Sequence, residues 1–170
     1  MSKLRFEDLD FNDYNGKTLP DYFEYEDQDL DLVKFYNEDA EQVQRSSMAK
    51  VIDVFHGERL AGYFAYLPAS LNFAQIQIED KTARLTHPAL KLGRLLVCKS
   101  MRGKDVGSHI ITKVASIALE ARRIMPLRLI TADVLPQSIG FYKKVGFVDA
   151  QVKPRSDGIK LMYIDIDKIA

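Results

Sequence analysis

Apolar and polar positions along the chain change their period several times, and each change marks a new element. Residues 3–6 alternate briefly, as a short first strand would. Over residues 27–45, Leu30, Val33, Phe35, Ala40 and Val43 form a rough apolar stripe behind acidic capping residues, which predicts a helix. Residues 51–55 and 60–67, joined by His56-Gly57-Glu58-Arg59, predict a β-hairpin. Residues 71–88 hold no clean period and read as a lid or irregular excursion with one short helix. An apolar strand follows at 92–98. In the next helix, at 106–124, Ile110, Ile111, Val114, Ala118 and Ala121 recur at spacings of three and four.

The last third repeats the alternation. Residues 127–134 form a strand interrupted by Arg128, Thr131 and Asp133. Pro136 then stands where a helix can begin without losing a hydrogen bond. That helix stops before Gly146, a residue suited to a left-handed cap. A closing hairpin over 147–152 and 159–166, with the loop 153–158, completes the order. A hairpin, then alternating strands and helices, then a second hairpin predicts an α/β fold. Its expected form is one central twisted mixed sheet with helices on both faces, in a single domain spanning residues 1–170.

The junction Leu96-Val97-Cys98-Lys99-Ser100-Met101-Arg102-Gly103-Lys104-Asp105-Val106-Gly107-Ser108 carries the most chemistry. It reads as a strand, a basic glycine-bearing turn and an immediate helix start. Such a junction aims main-chain N–H groups and the positive end of a helix dipole at one spot, which suits a phosphate or pyrophosphate. Gly103 and Gly107 allow close approach because they lack a β-carbon.

These residues resemble the signature of the GNAT superfamily of acyl-CoA-dependent N-acyltransferases. Leu95-Leu96-Val97 matches the signature's strand, and Arg102-Gly103-Lys104-Asp105-Val106-Gly107 matches its turn, with Asp105 where the central glycine belongs. A second family motif is matched by Leu135-Pro136-Gln137-Ser138-Ile139-Gly140-Phe141-Tyr142-Lys143-Lys144-Val145-Gly146-Phe147. There Leu135 replaces the usual Asn and Ser138 the usual Ala. The likeness is tight over residues 90–150 and loose elsewhere.

The resemblance implies a GNAT-like fold and acetyl-CoA as cosubstrate. Leu96 and Val97 would lend main-chain groups to the pantetheine arm, and Arg102, Gly103, Lys104, Asp105, Val106, Gly107 and Ser108 would wrap the pyrophosphate. Ser138 and Tyr142 would also lie on the cofactor. Tyr142 is the expected general acid for the departing thiolate, its unperturbed pKa near ~10 standing close to that of a thiol. The alternative is an aromatic packed with Phe141 and Phe147. Asp105 sets a carboxylate and a β-carbon in a turn where glycine is usual, so it is expected to weaken CoA binding, with Arg102 and Lys104 offsetting the repulsion.

Charge refines the expected acceptor. Net charge is zero, yet residues 7–41 hold thirteen acids against Lys17 and Lys34, a net of −11. Residues 91–144 hold eleven bases against Asp105, Glu120 and Asp133, a net of +8. A basic half suits a polyanionic cosubstrate, and an acidic half suits a cationic small-molecule or peptide amine, or merely solvates an exposed helix. The stretches Pro88-Ala89-Leu90-Lys91-Leu92-Gly93-Arg94-Leu95 and Gly62-Tyr63-Phe64-Ala65-Tyr66-Leu67 look like the branch that includes type II toxin acetyltransferases, which modify aminoacyl-tRNA and are restrained by an antitoxin. The acidic N-terminal part disfavours tRNA, although Lys91, Arg94, Arg122, Arg123 and Arg128 offer a local patch. A degenerate domain that binds CoA or a partner without catalysis is a further reading, motivated by Asp105, Leu135 and Ser138.

The general base stays open among Glu79, Asp80, Asp133 and a water chain. Cys98, the single cysteine, reads as a small buried apolar group, or less readily as a nucleophile. His56, His87 and His109 lack metal-ligand spacing, so no metal is expected. No apolar run reaches the roughly 18 residues of a membrane span. With no signal sequence and one cysteine, a cytoplasmic protein is expected; the oligomeric state stays open, a homodimer included.

Overall fold

A computed structural model describes residues 3–8, 17–72, 76 and 86–169. The seven strands are β1 (Leu4–Asp8), β2 (Lys50–His56), β3 (Arg59–Leu71), β4 (His87–Val97), β5 (Leu129–Val134), β6 (Val148–Asp149) and β7 (Lys160–Asp165). They lie in one mixed sheet in the order β1-β2-β3-β4-β5-β7-β6. The helices are α1 (Leu30–Lys34), α2 (Ala40–Arg45), α3 (Val106–Ala121) and α4 (Ile139–Lys144). The α/β class and mixed sheet agree with the expectation. The chain contacts divide into two compact units, Met1–Leu67 with Gly93–Ile110 and Pro68–Leu92 with Ile111–Ala170.

In the first unit, β1 and β2 pair antiparallel from Leu4↔His56 to Asp8↔Ile52. β2 turns into β3 through Gly57 and Glu58, with Gly57 at φ +62°, a conformation that costs glycine nothing. Val51, Tyr63, Ala65, Leu96 and Cys98 pack against Val33, Tyr36 and Ala40 from the helical segment. That segment differs from its expected stripe. A wide π-type turn at Phe35–Asp39 separates α1 from α2 and turns Tyr36 into the core, while Leu30 stays exposed. Tyr36 is drawn inward because its hydroxyl donates to the buried Asp53 carboxylate at 2.9 Å, while its ring lies 4.9 Å from Tyr63. The Tyr63 hydroxyl in turn donates to the Leu32 carbonyl at 2.7 Å.

In the second unit, β4 and β5 run parallel, from Ala89↔Leu129 to Leu92↔Ala132. Leu129, Ile130, Thr131 and Ala132 are all buried, so both faces of β5 are covered, as expected of a central strand joined by a crossover helix. The α3 face formed by Ile110, Ile111, Val114 and Ala118 is buried as its period predicts. The helix ends at Ala121 rather than 124, because Pro126 bars continuation and the chain turns through 122–125. Of the expected excursion at 71–88, Leu71 belongs to β3 and His87 and Pro88 to β4. The remainder, apart from Asn72, Ile76 and Thr86, lies outside the described residues, as do Glu79 and Asp80. The closing hairpin is narrower than expected, pairing only Val148↔Tyr163 and Asp149↔Met162.

Candidate active site

The strand–turn–helix junction at residues 96–108 lies wholly within the first unit. β4 delivers the chain to it, backed by Gly62 of β3. A β-carbon at Gly62 would stand 2.4 Å from the Leu96 carbonyl oxygen, so only glycine permits this approach. The Cys98 N–H donates to the Ala61 carbonyl at 2.8 Å, tying the strand end to β3. Cys98 itself is buried and packed in the core, with Sγ 3.3 Å from Ser100 Oγ, a setting for packing rather than nucleophilic attack.

Beyond Cys98 the chain makes a tight turn at Lys99–Met101, and Arg102 is extended. Gly103 then adopts φ +73° and Asp105 φ +60°, both left-handed. α3 starts at Val106, and its first main-chain bond runs from the His109 N–H to the Asp105 carbonyl at 3.0 Å. The N–H groups of Gly103 to Gly107 make no main-chain hydrogen bond among the described residues. Unpaired donors before a helix start are the requirement for anion binding. Asp105 therefore occupies the glycine-type position its place in the motif implied, and its side chain is exposed. Aspartate is among the few non-glycine residues that tolerate this region.

Arg102 contributes its main chain to this turn, but its guanidinium points elsewhere. Nη1 donates to Glu26 Oε2 at 3.0 Å, Nη2 to Asp29 Oδ2 at 2.5 Å, and Nε to the Val97 carbonyl at 3.2 Å. Glu26 also lies 3.5 Å from Lys99 Nζ. In the sequence, Glu26 and Asp29 stand out only as members of the acidic stretch at residues 7–41. Their one local signal is a capping box, in which the Glu26 N–H donates to Asp29 at 2.9 Å.

The second unit holds Ser138 and Tyr142. Leu135 is extended, Pro136–Ser138 forms a single turn, and α4 follows. Ser138 is half-buried, its N–H bonded to the Leu135 carbonyl at 2.9 Å. The chain leaves α4 through Gly146 at φ +99°, the left-handed cap expected there. Tyr142 is buried between Phe141 and Phe147, at ring distances of 5.3 and 5.0 Å. Burial pushes the phenol well above its ordinary value, so it is protonated at neutral pH.

Asp133, also in the second unit, is held by Lys91 Nζ at 2.7 Å. Part of the basic patch is similarly engaged: Arg122 pairs with Asp167, and Arg128 with Asp165 and Asp167, while Arg123 is exposed. In the first unit, Arg94 lies 5.1 Å over the Phe35 ring. Among the described residues, no group of three or more His, Cys, Asp or Glu is arranged to hold a metal. None of the described helices is long and apolar enough to cross a membrane.

Residues 10–147 match the family model described as acetyltransferase (GNAT) family. Several solved structures share the fold. AtaT complexed with acetyl-methionyl-tRNAfMet has a TM-score of 0.78 at 17% identity, covering 98% of this chain and 97% of that one. An AtaT mutant bound to the C-terminus of the antitoxin AtaR and acetyl-CoA has a TM-score of 0.74 at 16% identity, with coverage of 98% and 96%. A Tyr-to-Phe mutant of KacT has a TM-score of 0.80 at 18% identity, with coverage of 98% and 96%. At these identities the likeness is one of fold.

Proposed function

Since the chain belongs to the acetyltransferase (GNAT) family, we propose that it transfers an acetyl group from acetyl-CoA to a primary amine by direct attack, within one GNAT domain. The observation that carries this reading is the turn at Gly103–Gly107, whose main-chain donors stand unpaired ahead of α3. Gly103 fits the role further, since nothing lies within 4 Å of the place a β-carbon would take. When bound, acetyl-CoA supplies an activated acyl group on a thiol leaving group.

The chain's own residues have three tasks. Gly103 to Ser108 bind the pyrophosphate through main-chain N–H groups and the helix dipole, with Lys104 adding charge. Leu96 and Val97 present strand backbone to the pantetheine arm. In support, the β4–β5 ladder ends at Leu92↔Ala132 while β4 continues to Val97. Tyr142 holds a proton on its phenol for the departing sulfur. Its raised pKa makes full transfer to a thiolate uphill, so it acts chiefly as a hydrogen-bond donor that yields its proton late.

The acceptor favoured by charge is a cationic small-molecule or peptide amine. Asp21, Glu24, Asp27 and Asp31 are exposed without an ion pair among the described residues, whereas Lys91, Arg122 and Arg128 are already paired with acids. A second reading, acetylation of an aminoacyl-tRNA, is favoured by the fold shared with AtaT. Calorimetry with acetyl-CoA, followed by thiol release against a polyamine, a peptide amine and a charged tRNA, tests both. Micromolar acetyl-CoA binding with turnover on the amines supports the first reading, and turnover on charged tRNA alone replaces it with the second. Binding without turnover on any acceptor points to a non-catalytic domain, and no binding at millimolar acetyl-CoA defeats the acetyl-transfer reading altogether.

A further inference from the structure

Arg102 stands at the first position of the phosphate-binding motif, yet its charge is spent on partners far away in sequence. Glu26 and Asp29 lie 76 and 73 positions from it. Asp29 is buried, with its side chain 11% exposed, and the Arg102 side chain is 33% exposed. Three acceptors on two other segments hold this guanidinium: the Val97 carbonyl at the end of β4, Glu26, and Asp29. A second tie joins the same segments, since the Lys99 N–H donates to the Glu24 carbonyl at 2.7 Å. Arg102 and Lys99 together balance the two carboxylates, so the cluster presents no net charge to a ligand in the turn. Arg102 immediately precedes Gly103, the first left-handed residue. Holding its side chain therefore sets the direction from which the turn departs and where the N–H groups of Gly103 to Gly107 point.

We propose that Glu26 and Asp29 are positioning residues for acyl-CoA binding, acting through Arg102, and that the Arg102 guanidinium braces the turn instead of contacting phosphate. This rests on the reading that the turn binds acetyl-CoA. A planar guanidinium with five fixed donors suits the bracing role, because it engages a carbonyl and two carboxylates at once. Glutamine, with one carboxamide, reproduces only part of that network.

The two roles predict opposite signs. If Arg102 is a brace, Glu26→Gln and Asp29→Asn loosen the turn and weaken acetyl-CoA. If it is a phosphate ligand held in reserve, the same substitutions free the guanidinium and tighten binding. The test measures the acetyl-CoA Kd by calorimetry and the KM and kcat for slow thiol release with water as acceptor. The variants are Glu26→Gln, Asp29→Asn and Arg102→Gln, with the double variants that pair Arg102→Gln with each acid change. The brace predicts Kd and KM about tenfold higher in each single variant, as expected for a lost charged hydrogen bond. It also predicts kcat within about twofold, and double variants no worse than Arg102→Gln alone, because both changes remove one interaction.

Tighter binding in Glu26→Gln or Asp29→Asn overturns the proposal, as does an unchanged Kd in both. A purely structural role appears as a lower melting temperature and lower kcat at constant KM, and that outcome also overturns it. Should Asp29→Asn fail to fold, the more exposed Glu26→Gln decides. If the wild-type chain does not bind acetyl-CoA, the functional reading fails. If wild type binds and the variants match it, only the brace fails.

Discussion

Replacing Asp105 separates two costs that the turn ahead of α3 carries together if it binds pyrophosphate as proposed. Its backbone sits at φ +60° and its side chain is exposed. The left-handed conformation costs an ordinary L-residue roughly 1–2 kcal/mol, with Asp and Asn at the low end. Glycine removes that strain but loses about 0.5–1 kcal/mol to chain entropy. The stability of Asp105→Gly and Asp105→Asn should therefore stay within about 1 kcal/mol of wild type, whereas Asp105→Ala should fall below both.

The effect on the ligand is larger. With pyrophosphate seated on the neighbouring N–H groups, a carboxylate about 5 Å away opposes each phosphate charge by roughly 0.8 kcal/mol in a water-like dielectric. Two charges give roughly 1.5 kcal/mol, or about a tenfold tighter Kd once the carboxylate is removed. The assay is calorimetric titration of acetyl-CoA into wild type, Asp105→Gly and Asp105→Asn at low and high salt. Both variants should bind about tenfold tighter at low salt, and the gain should shrink at high salt, where screening acts within about 3 Å at 1 M. If Asp105→Asn binds within twofold of wild type at low salt, the electrostatic reasoning is refuted. A gain confined to Asp105→Gly would instead assign the effect to the β-carbon and backbone.

Tyr142→Phe should bind acetyl-CoA normally and lose roughly a hundredfold in kcat, a typical size for a lost proton donor; an unchanged kcat in stopped thiol-release assays would remove Tyr142 from the chemistry. Burial raises the phenols of Tyr142 and Tyr63, so folding favours their neutral forms. That stabilisation is complete below pH ~10 and is lost as pH rises beyond it, so the melting temperature should drop there, and less in Tyr142→Phe. Desolvation raises the buried Asp53 carboxyl despite its bonds to Lys17 and Tyr36. The benefit of its neutral form is present at acid pH and lost as pH rises through the folded value, so Asp53→Asn should raise the melting temperature at pH 7 but not at pH 3. A lower value at pH 7 would count the ion pair with Lys17 as the stronger effect. Gly62→Ala should cost about 1–3 kcal/mol by overpacking against the Leu96 carbonyl, read by denaturant unfolding.

Local pattern carried much of this protein. The 3.6-residue period of Ile110, Val114 and Ala118 determines α3 and its buried face, because burial of one stripe needs only the spacing of neighbours along one helix. The alternation and the Gly57 turn determine the first hairpin for the same reason. The motif likewise located the turn between β4 and α3, including the left-handed position that Asp105 holds, since backbone conformation there is a property of a few consecutive residues. Tyr36 shows where the pattern stops. Its selection over Leu30 depends on a carboxylate 17 positions away on β2.

The rest was decided only by tertiary structure. The sequence shows Arg102 and a surplus of acids, but which acid takes its charge depends on folding that brings residue 26 beside residue 102. The same holds for the patch of Lys91, Arg94, Arg122, Arg123 and Arg128, basic when counted along the chain, of which Lys91, Arg122 and Arg128 take acidic partners once folded. Nothing in the spacing around Gly62 marks it as the position where the Leu96 carbonyl leaves no room for a β-carbon. Periodicity is read between residues that are already neighbours in the chain. Ion pairs and close backbone approaches join residues that become neighbours only when the core forms, and no local spacing encodes their partners.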